Sequence, residues 1–227
     1  MPAGSIRARV RAEMIAEIKT VARRHLATDG ANLSLRAVAR DMGMVSSAIY
    51  RYFASRDELL TALIIDAYNA VGDAVESTEA RVDPADFRGR LLAIGHAVRS
   101  WALANPAEYA LIYGSPVPGY AAPQDTTVAA LRTATVLVRV FVDGSDSGAL
   151  RPSGDQLDDG VHRDLKAAAD SIAPGLDPEV LARGTIAWIH LFGAVSFELF
   201  GQLNNVIEAR EAYFDYQMRR IADLVGV

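Results

Sequence analysis

The chain has 227 residues, 51% of them hydrophobic, with a formal net charge of −5, enough to bury a substantial core as one large domain or two small ones. It contains no cysteine, which excludes disulfides and thiolate metal sites, and the opening Met-Pro-Ala-Gly-Ser with Arg7, Arg9 and Arg11 lacks the apolar core of a secretion signal. No stretch of eighteen apolar residues runs free of charge, so a cytoplasmic protein without membrane association is expected.

Apolar spacing predicts a first helix over residues 6–28, with Val10, Met14, Ile15, Ile18, Val21, Ala22 and Leu26 on one face. Arg7, Arg9 and Arg11 near its start read equally well as a solvated run and as a flexible arm that tracks phosphates. Residues 30–60 then read as two short helices joined by a glycine turn and followed by a third, which is a helix-turn-helix. Ser34 is the expected N-cap of the first, which buries Leu35, Val38, Ala39 and Met42. Gly43 ends it, because glycine enters the left-handed region without steric cost and lets the chain reverse.

The second short helix, over about 45–52, is the expected reader. Val45, Ile49 and Phe53 face inward, leaving Ser46, Ser47, Ala48, Tyr50, Arg51 and Tyr52 for base edges and phosphates. Ser55-Arg56-Asp57-Glu58 matches a capping box. A long helix begins there, and its free amides with Arg56 form a phosphate clamp that Asp57 and Glu58 partly oppose.

Charge separates this segment from an ordinary helical hairpin. Residues 1–56 carry ten Arg or Lys against four Asp or Glu, and the remainder thirteen against twenty-four. A basic head on an acidic body is what phosphate binding requires of a chain whose net charge would otherwise repel DNA. Arginine outnumbers lysine twenty-one to two, a bias that lowers the weight of any single arginine.

These residues resemble the head of the TetR family of bacterial one-component transcriptional repressors. The family's pattern stands here as Ser34, Ala39, Gly43, Ser46, Tyr50, Tyr52, Phe53, Ser55, Arg56, Glu58 and Leu59. Ser34 replaces the usual Thr and keeps the capping hydroxyl; Arg56 replaces the usual Lys and keeps the charge. The resemblance implies an all-helical homodimer whose paired recognition helices enter successive major grooves, with a second, variable domain that binds a small effector. The expected organisation is therefore all-α, with about nine or ten helices. A DNA-binding head spans residues 1–54 and an effector-binding and dimerisation domain residues 55–227.

Beyond the head the chain is well punctuated. The long helix runs over 56–79. Asp83-Pro84 caps another to about 104, with Pro84 in its first turn. Asn105-Pro106 opens a short helix to Tyr113 that ends at Gly114, and a Pro/Gly-rich loop over 115–123 precedes a helix over 124–142. Residues 143–157 read as a mobile acidic loop, and a helix follows over 157–172.

Asp177-Pro178 caps the longest apolar helix, over 178–203. Leu181, Ile186, Trp188, Ile189, Leu191, Phe192, Val195, Phe197, Leu199 and Phe200 occupy more than one of its faces, too many for a monomer. Gly184, Gly193 and Gly201 add points of close approach. Asn205 with Glu208 forms a further capping pattern for a last helix to about 225, with Ala212, Tyr216, Ile221, Leu224 and Val225 in an apolar stripe. Two such helices from each subunit would make a four-helix interface, matching the two-fold partner that a helix-turn-helix half-site wants. This half resembles one branch of TetR effector domains, through Asn105 to Tyr120 and Trp188 to Gly201.

The candidate site residues follow. Ser46, Ser47 and Arg51 are assigned to base edges, Tyr50, Tyr52 and Arg56 to phosphates, and Ser34 to capping and a phosphate contact. Trp101, Tyr109, Tyr113, Phe141, Trp188, His190 and Phe197 are candidates to line a pocket for a small apolar or aromatic effector, although each ring taken alone is more often core or interface filler. His96, His190, Arg139 and Glu198 are candidates to orient such a ligand. No Gly-x-Ser-x-Gly, phosphate loop or His-Glu-x-x-His occurs and the four histidines lack metal-ligand spacing, so no enzyme activity, metal or cofactor is expected. The expected function is a DNA-binding repressor of a palindromic operator, released by an effector. The alternative is a helical protein-interaction module, whose binding would lack the steep salt dependence of phosphate contacts.

Overall fold

A computed structural model describes residues 3–30 and 33–227; Met1 and Pro2, and Ala31 with Asn32 of the helix-turn-helix segment, lie outside the described residues. Among the described residues there are nine α-helices and no strand: α1 (Ala3–Asp29), α2 (Leu35–Asp41), α3 (Arg56–Glu79), α4 (Phe87–Ala104), α5 (Pro106–Tyr113), α6 (Thr127–Asp146), α7 (Asp159–Ile172), α8 (Pro178–Leu199) and α9 (Arg210–Val225). Short 3₁₀ turns occupy Ile49–Arg51 and Gln124–Thr126.

Local chemistry sets the helix ends. Ser55 Oγ accepts the Glu58 amide at 3.1 Å, while the Glu58 carboxylate accepts the Ala54 amide at 2.5 Å, so the capping box works one residue wider than its usual form. Pro106 opens α5 and Gly114 closes it, as its sequence indicates. The start of α4 differs from expectation. The Asp83 carboxylate is taken by the Ala85 amide in a local turn, and Asp86 instead accepts the Gly89 amide, so the helix starts at Phe87 and Pro84 lies outside it.

Further corrections lie toward the C-terminal end. α6 continues to Asp146. The segment expected as a mobile loop is shorter and tied down: Leu150 is buried, and Glu179 accepts both the amide and the hydroxyl of Ser153. α8 stops at Leu199 because the Gln202 amide reaches back to Phe197 O and the Gly201 amide to Glu198 O, a paired closure that precludes another turn. Asn205 adopts φ 61° instead of capping α9, which begins at Arg210 after Ala209.

The contacts divide into two compact units, Met1–Asn69 with Asn105–Ala130, and Ala70–Ala104 with Leu131–Val227. The division passes inside α3, beyond the 54/55 boundary of the sequence reading, since Leu59, Leu60 and Leu63 belong to the core formed by Ile18, Ala22, Leu26, Val38 and Ile49. In this first unit α5 packs on α1, Leu111, Val117 and Tyr120 flank the core, and the Tyr120 and Thr61 hydroxyls meet at 2.9 Å.

In the second unit α4, α7 and α9 pack on α8. Leu191, Val195 and Ala187 of α8 are buried, as are Phe214, Met218 and Ile221 of α9. By length and composition α8 could cross a bilayer. Its charges serve this unit instead: Glu198 holds Arg99 in a two-pronged pair at 2.7 Å on both arms, and Glu179 pairs with Arg183. Buried Arg90 joins Glu79 at 2.6 Å and Asp143 at 2.9 Å, linking α4 to the ends of α3 and α6.

Candidate nucleic-acid interface and effector cavities

Ser34 has an extended backbone, φ −123° and ψ 118°, and its hydroxyl accepts the Ala37 amide at 3.5 Å, opening α2. Leu35, Val38 and Ala39 are buried on its inner face and Met42 is half-buried. Gly43 sits at φ 68°. There its amide bonds Arg40 O at 3.0 Å and the Met44 amide bonds Ala39 O at 2.9 Å, the paired closure that a left-handed residue makes after a helix.

The reader is not a continuous α-helix. Its bonds Ala48 N to Val45 O at 2.8 Å, Arg51 N to Ala48 O at 3.2 Å and Tyr52 N to Ile49 O at 2.9 Å span three residues, and the closing bond, Phe53 N to Ile49 O at 3.1 Å, spans four. So short a segment spends most of its residues on nucleation, and Val45, Ser46, Ser47 and Ile49 are weak helix formers. Ile49 and Phe53 are buried as expected, but Val45 is 73% exposed. It precedes the first turn, where helical spacing does not govern side-chain direction.

Ser34, Ser46, Ser47, Tyr50 and Arg51 are exposed, as their assigned roles require. Tyr52 and Arg56 are not simply presented to solvent. The Arg11 guanidinium lies over the Tyr52 ring at 5.3 Å and donates to the Arg51 carbonyl at 2.8 Å. Arg11 therefore braces the reader from α1, which is helical from Ala3 and leaves no flexible arm among the described residues. Arg56 Nε donates to Leu33 O at 3.2 Å and Nη1 to Asp57 at 3.3 Å, fastening the entry to α2.

Arg7, which the sequence placed in a candidate arm, and Arg36, to which no motif pointed, are exposed and make no ion pair among the described residues, so they add positive charge to the head. The α1–α2 contact is closed by His25 Nε2 and Asp41 at 2.8 Å, and the His25 hydrogen bond holds the Asp41 carboxyl below the usual carboxylate range.

The seven effector candidates do not converge. Tyr109 is fully buried in the first unit, with Tyr113 at 5.2 Å beside it and Tyr68 edge-on to Tyr113 at 5.9 Å. Trp101 is buried on α4. Phe141 and Trp188 line a cavity of about 190 Å³ among α6, α7 and α8. His190 and Phe197 line another of about 370 Å³ with Tyr213 and Gln217. Burial holds the His190 imidazole below its ordinary value, against the opposing effect of Gln217, and its Nε2 is buried without a partner. Of the other orienting candidates, His96 lies 3.4 Å from Asp215, Arg139 3.4 Å from Glu79, and Glu198 is committed to Arg99. Sequence spacing carries no signal for this partition, which depends on how separate helices meet.

Residues 18–63 match the family described as bacterial regulatory proteins, tetR family, and residues 91–221 match the tetracyclin repressor-like C-terminal domain. The chain belongs to the TetR family. It is 39% identical over 222 residues to the HTH-type transcriptional regulator Rv1816 of Mycobacterium tuberculosis, covering 95% of this chain and 94% of that one. The regulator Mb1846 of Mycobacterium bovis matches to the same extent. Among solved structures, the regulatory protein SCO4313 superposes with a TM-score of 0.79 at 34% identity, over 95% of this chain and 98% of that one. A tetR-family regulator from Rhodococcus RHA1, at 17% identity and a TM-score of 0.63 over 93% and 96% of the two chains, shares the fold. The protein is thus a TetR-family DNA-binding transcriptional regulator, and the exposed reader turn is the feature of its head suited to that task.

Proposed function

We propose that the protein is a cytoplasmic, homodimeric repressor of a palindromic operator, released when its second domain binds a small molecule. The observation that carries the reading is the cationic head, whose reader turn presents Ser46, Ser47, Tyr50 and Arg51 to solvent while Ile49 and Phe53 anchor it from beneath. Ser46, Ser47 and Arg51 read base edges in the major groove, Tyr50 contacts phosphate, and Ser34 adds a hydroxyl at the start of α2. Arg56 and Tyr52 contribute what their internal bonds leave exposed.

Dimerisation is supported by the second face of α8. Ile186, Ile189, Phe197 and Phe200 are exposed there, as are Tyr216 and Leu224 of α9, an apolar surface larger than scattered single residues would make. A palindromic operator with half-sites one turn of B-DNA apart asks a dimer to present its two readers at roughly 34 Å. An effector that binds better to a conformation with another spacing releases the operator by population shift.

The test is binding of the purified protein to its own upstream DNA at two salt concentrations, with a scrambled duplex as control. The expected result is specific binding of one dimer with a steep loss of affinity at higher salt. Ile189→Asp is expected to yield monomers that lose specific binding. Salt-insensitive binding, or binding that is indifferent to sequence, would favour a protein-interaction role for the head.

A further inference from the structure

The cavity among α6, α7 and α8 lies wholly within the second unit and has a volume of about 190 Å³. Leu137, Phe141, Ile172, Leu181 and Trp188 contribute apolar walls, and no ionisable side chain lines it. Its polar side-chain atoms are the Thr185 hydroxyl, already committed in donating to Leu181 O at 2.9 Å, and the Trp188 indole N–H. A ligand entering here meets no counter-charge, and the one side-chain donor without a bond inside its own helix is the indole N–H.

This chemistry decides the ligand class. A carboxylate, an amine or a polyhydroxylated molecule would shed its hydration and receive at most the one indole hydrogen bond in return, a net cost of up to several kcal/mol for a neutral polar group and far more for an ion. An apolar molecule loses nothing by the transfer, and an apolar protein cavity of roughly 150 Å³ is large enough to take benzene. We propose that the cavity binds a neutral, single-ring aromatic hydrocarbon or a molecule of equivalent size and polarity, stacked among Phe141 and Trp188. The inference rests on the effector reading above and names the chemistry to which that domain responds.

Gly184 supplies the means of testing it. A Cβ at this position would stand 3.0 Å from Phe141 Cε2 and 3.2 Å from Cδ2, so an alanine both occupies cavity volume and forces the ring to shift. Alanine is also the better helix former, so the variant is expected to fold.

The experiment titrates toluene into a Trp101→Phe background, in which Trp188 is the sole tryptophan, since the chain has two, and reads its fluorescence. Saturable binding is expected, weakened roughly tenfold by Gly184→Ala, as overfilling of a close-packed site implies. Thr185→Val should leave the affinity within about twofold, because the hydroxyl it removes faces its own helix. Benzoate should not bind over the same concentrations. Leu137→Phe is the second filling variant, should Gly184→Ala prove unstable. Absence of saturable toluene binding, binding indifferent to both filling variants, or equal binding of benzoate would each overturn the inference. Operator release, measured separately, divides it from the reading beneath it. Toluene that binds without releasing DNA leaves the ligand class standing and removes the effector role of this cavity. Release by some other compound, with no toluene binding, does the reverse.

Discussion

Replacing Gly43 by alanine isolates the turn on which the head depends. The position has φ 68°, and a Cβ built there would meet nothing within 4 Å. No clash contributes, so the whole cost is that of holding a side-chain-bearing residue in the left-handed region, about 1 kcal/mol. For a chain of this length that corresponds to a fall of about 2–4 °C in Tm. If the backbone instead relaxes to avoid the cost, the Met44 amide loses Ala39 O, the reader shifts relative to α2, and operator affinity falls with it. Gly43→Asn should lose less than half as much stability, because asparagine tolerates the left-handed region. Circular dichroism melts and operator titrations by fluorescence anisotropy measure the two effects. Alanine at or above the parent's Tm, or asparagine as costly as alanine, would refute the conformational argument and assign the cost to something other than φ.

Arg51→Ala should relax sequence preference while leaving non-specific affinity largely intact; competition among operator variants measures this, and a uniform loss across sequences would reassign Arg51 to phosphate. Arg99→Met strands Glu198, whose side chain is 7% exposed, and should cost roughly 3 kcal/mol in denaturant unfolding; the double variant with Glu198→Leu should recover most of that. His190 predicts a pH dependence. Its folded value is depressed by burial, so below its ordinary value of about 6.5 the unfolded chain binds the proton first. The stability it contributes is full above that value and declines as pH falls toward the folded one, so Tm should drop between pH 7 and pH 5.5, less so in His190→Gln.

Elements whose ends are set by one dominant local device were legible in the sequence. The Ser55–Glu58 box placed α3 at Arg56, and Pro106 with Gly114 bounded α5. Misplaced ends came from competing devices of equal local merit. Asp83 and Asp86 can each cap, and only the chosen hydrogen bonds distinguish them. Asn205 can cap or turn left-handed, and it turns. The exposure of Ser46, Ser47, Tyr50 and Arg51 was legible because the motif places them on the outer side of the turn. Val45 was not, since helical periodicity was applied to a residue that precedes the helix. The bracing of the reader by Arg11, and the membership of Tyr109 and Trp188 in different units, depend on contacts distant in sequence, to which no periodicity points.

The reader turn owes its place to two buried anchors, Ile49 and Phe53, and to a brace on a backbone carbonyl, while its outward side chains support no core contact. Under the proposed contacts, fold and operator preference are thereby carried by different atoms. A regulator that reads its operator through positions 46, 47 and 51 in this way can exchange those side chains and so acquire a new target sequence without first acquiring spare stability. Duplicated copies of such a gene have a short mutational path to separate regulons.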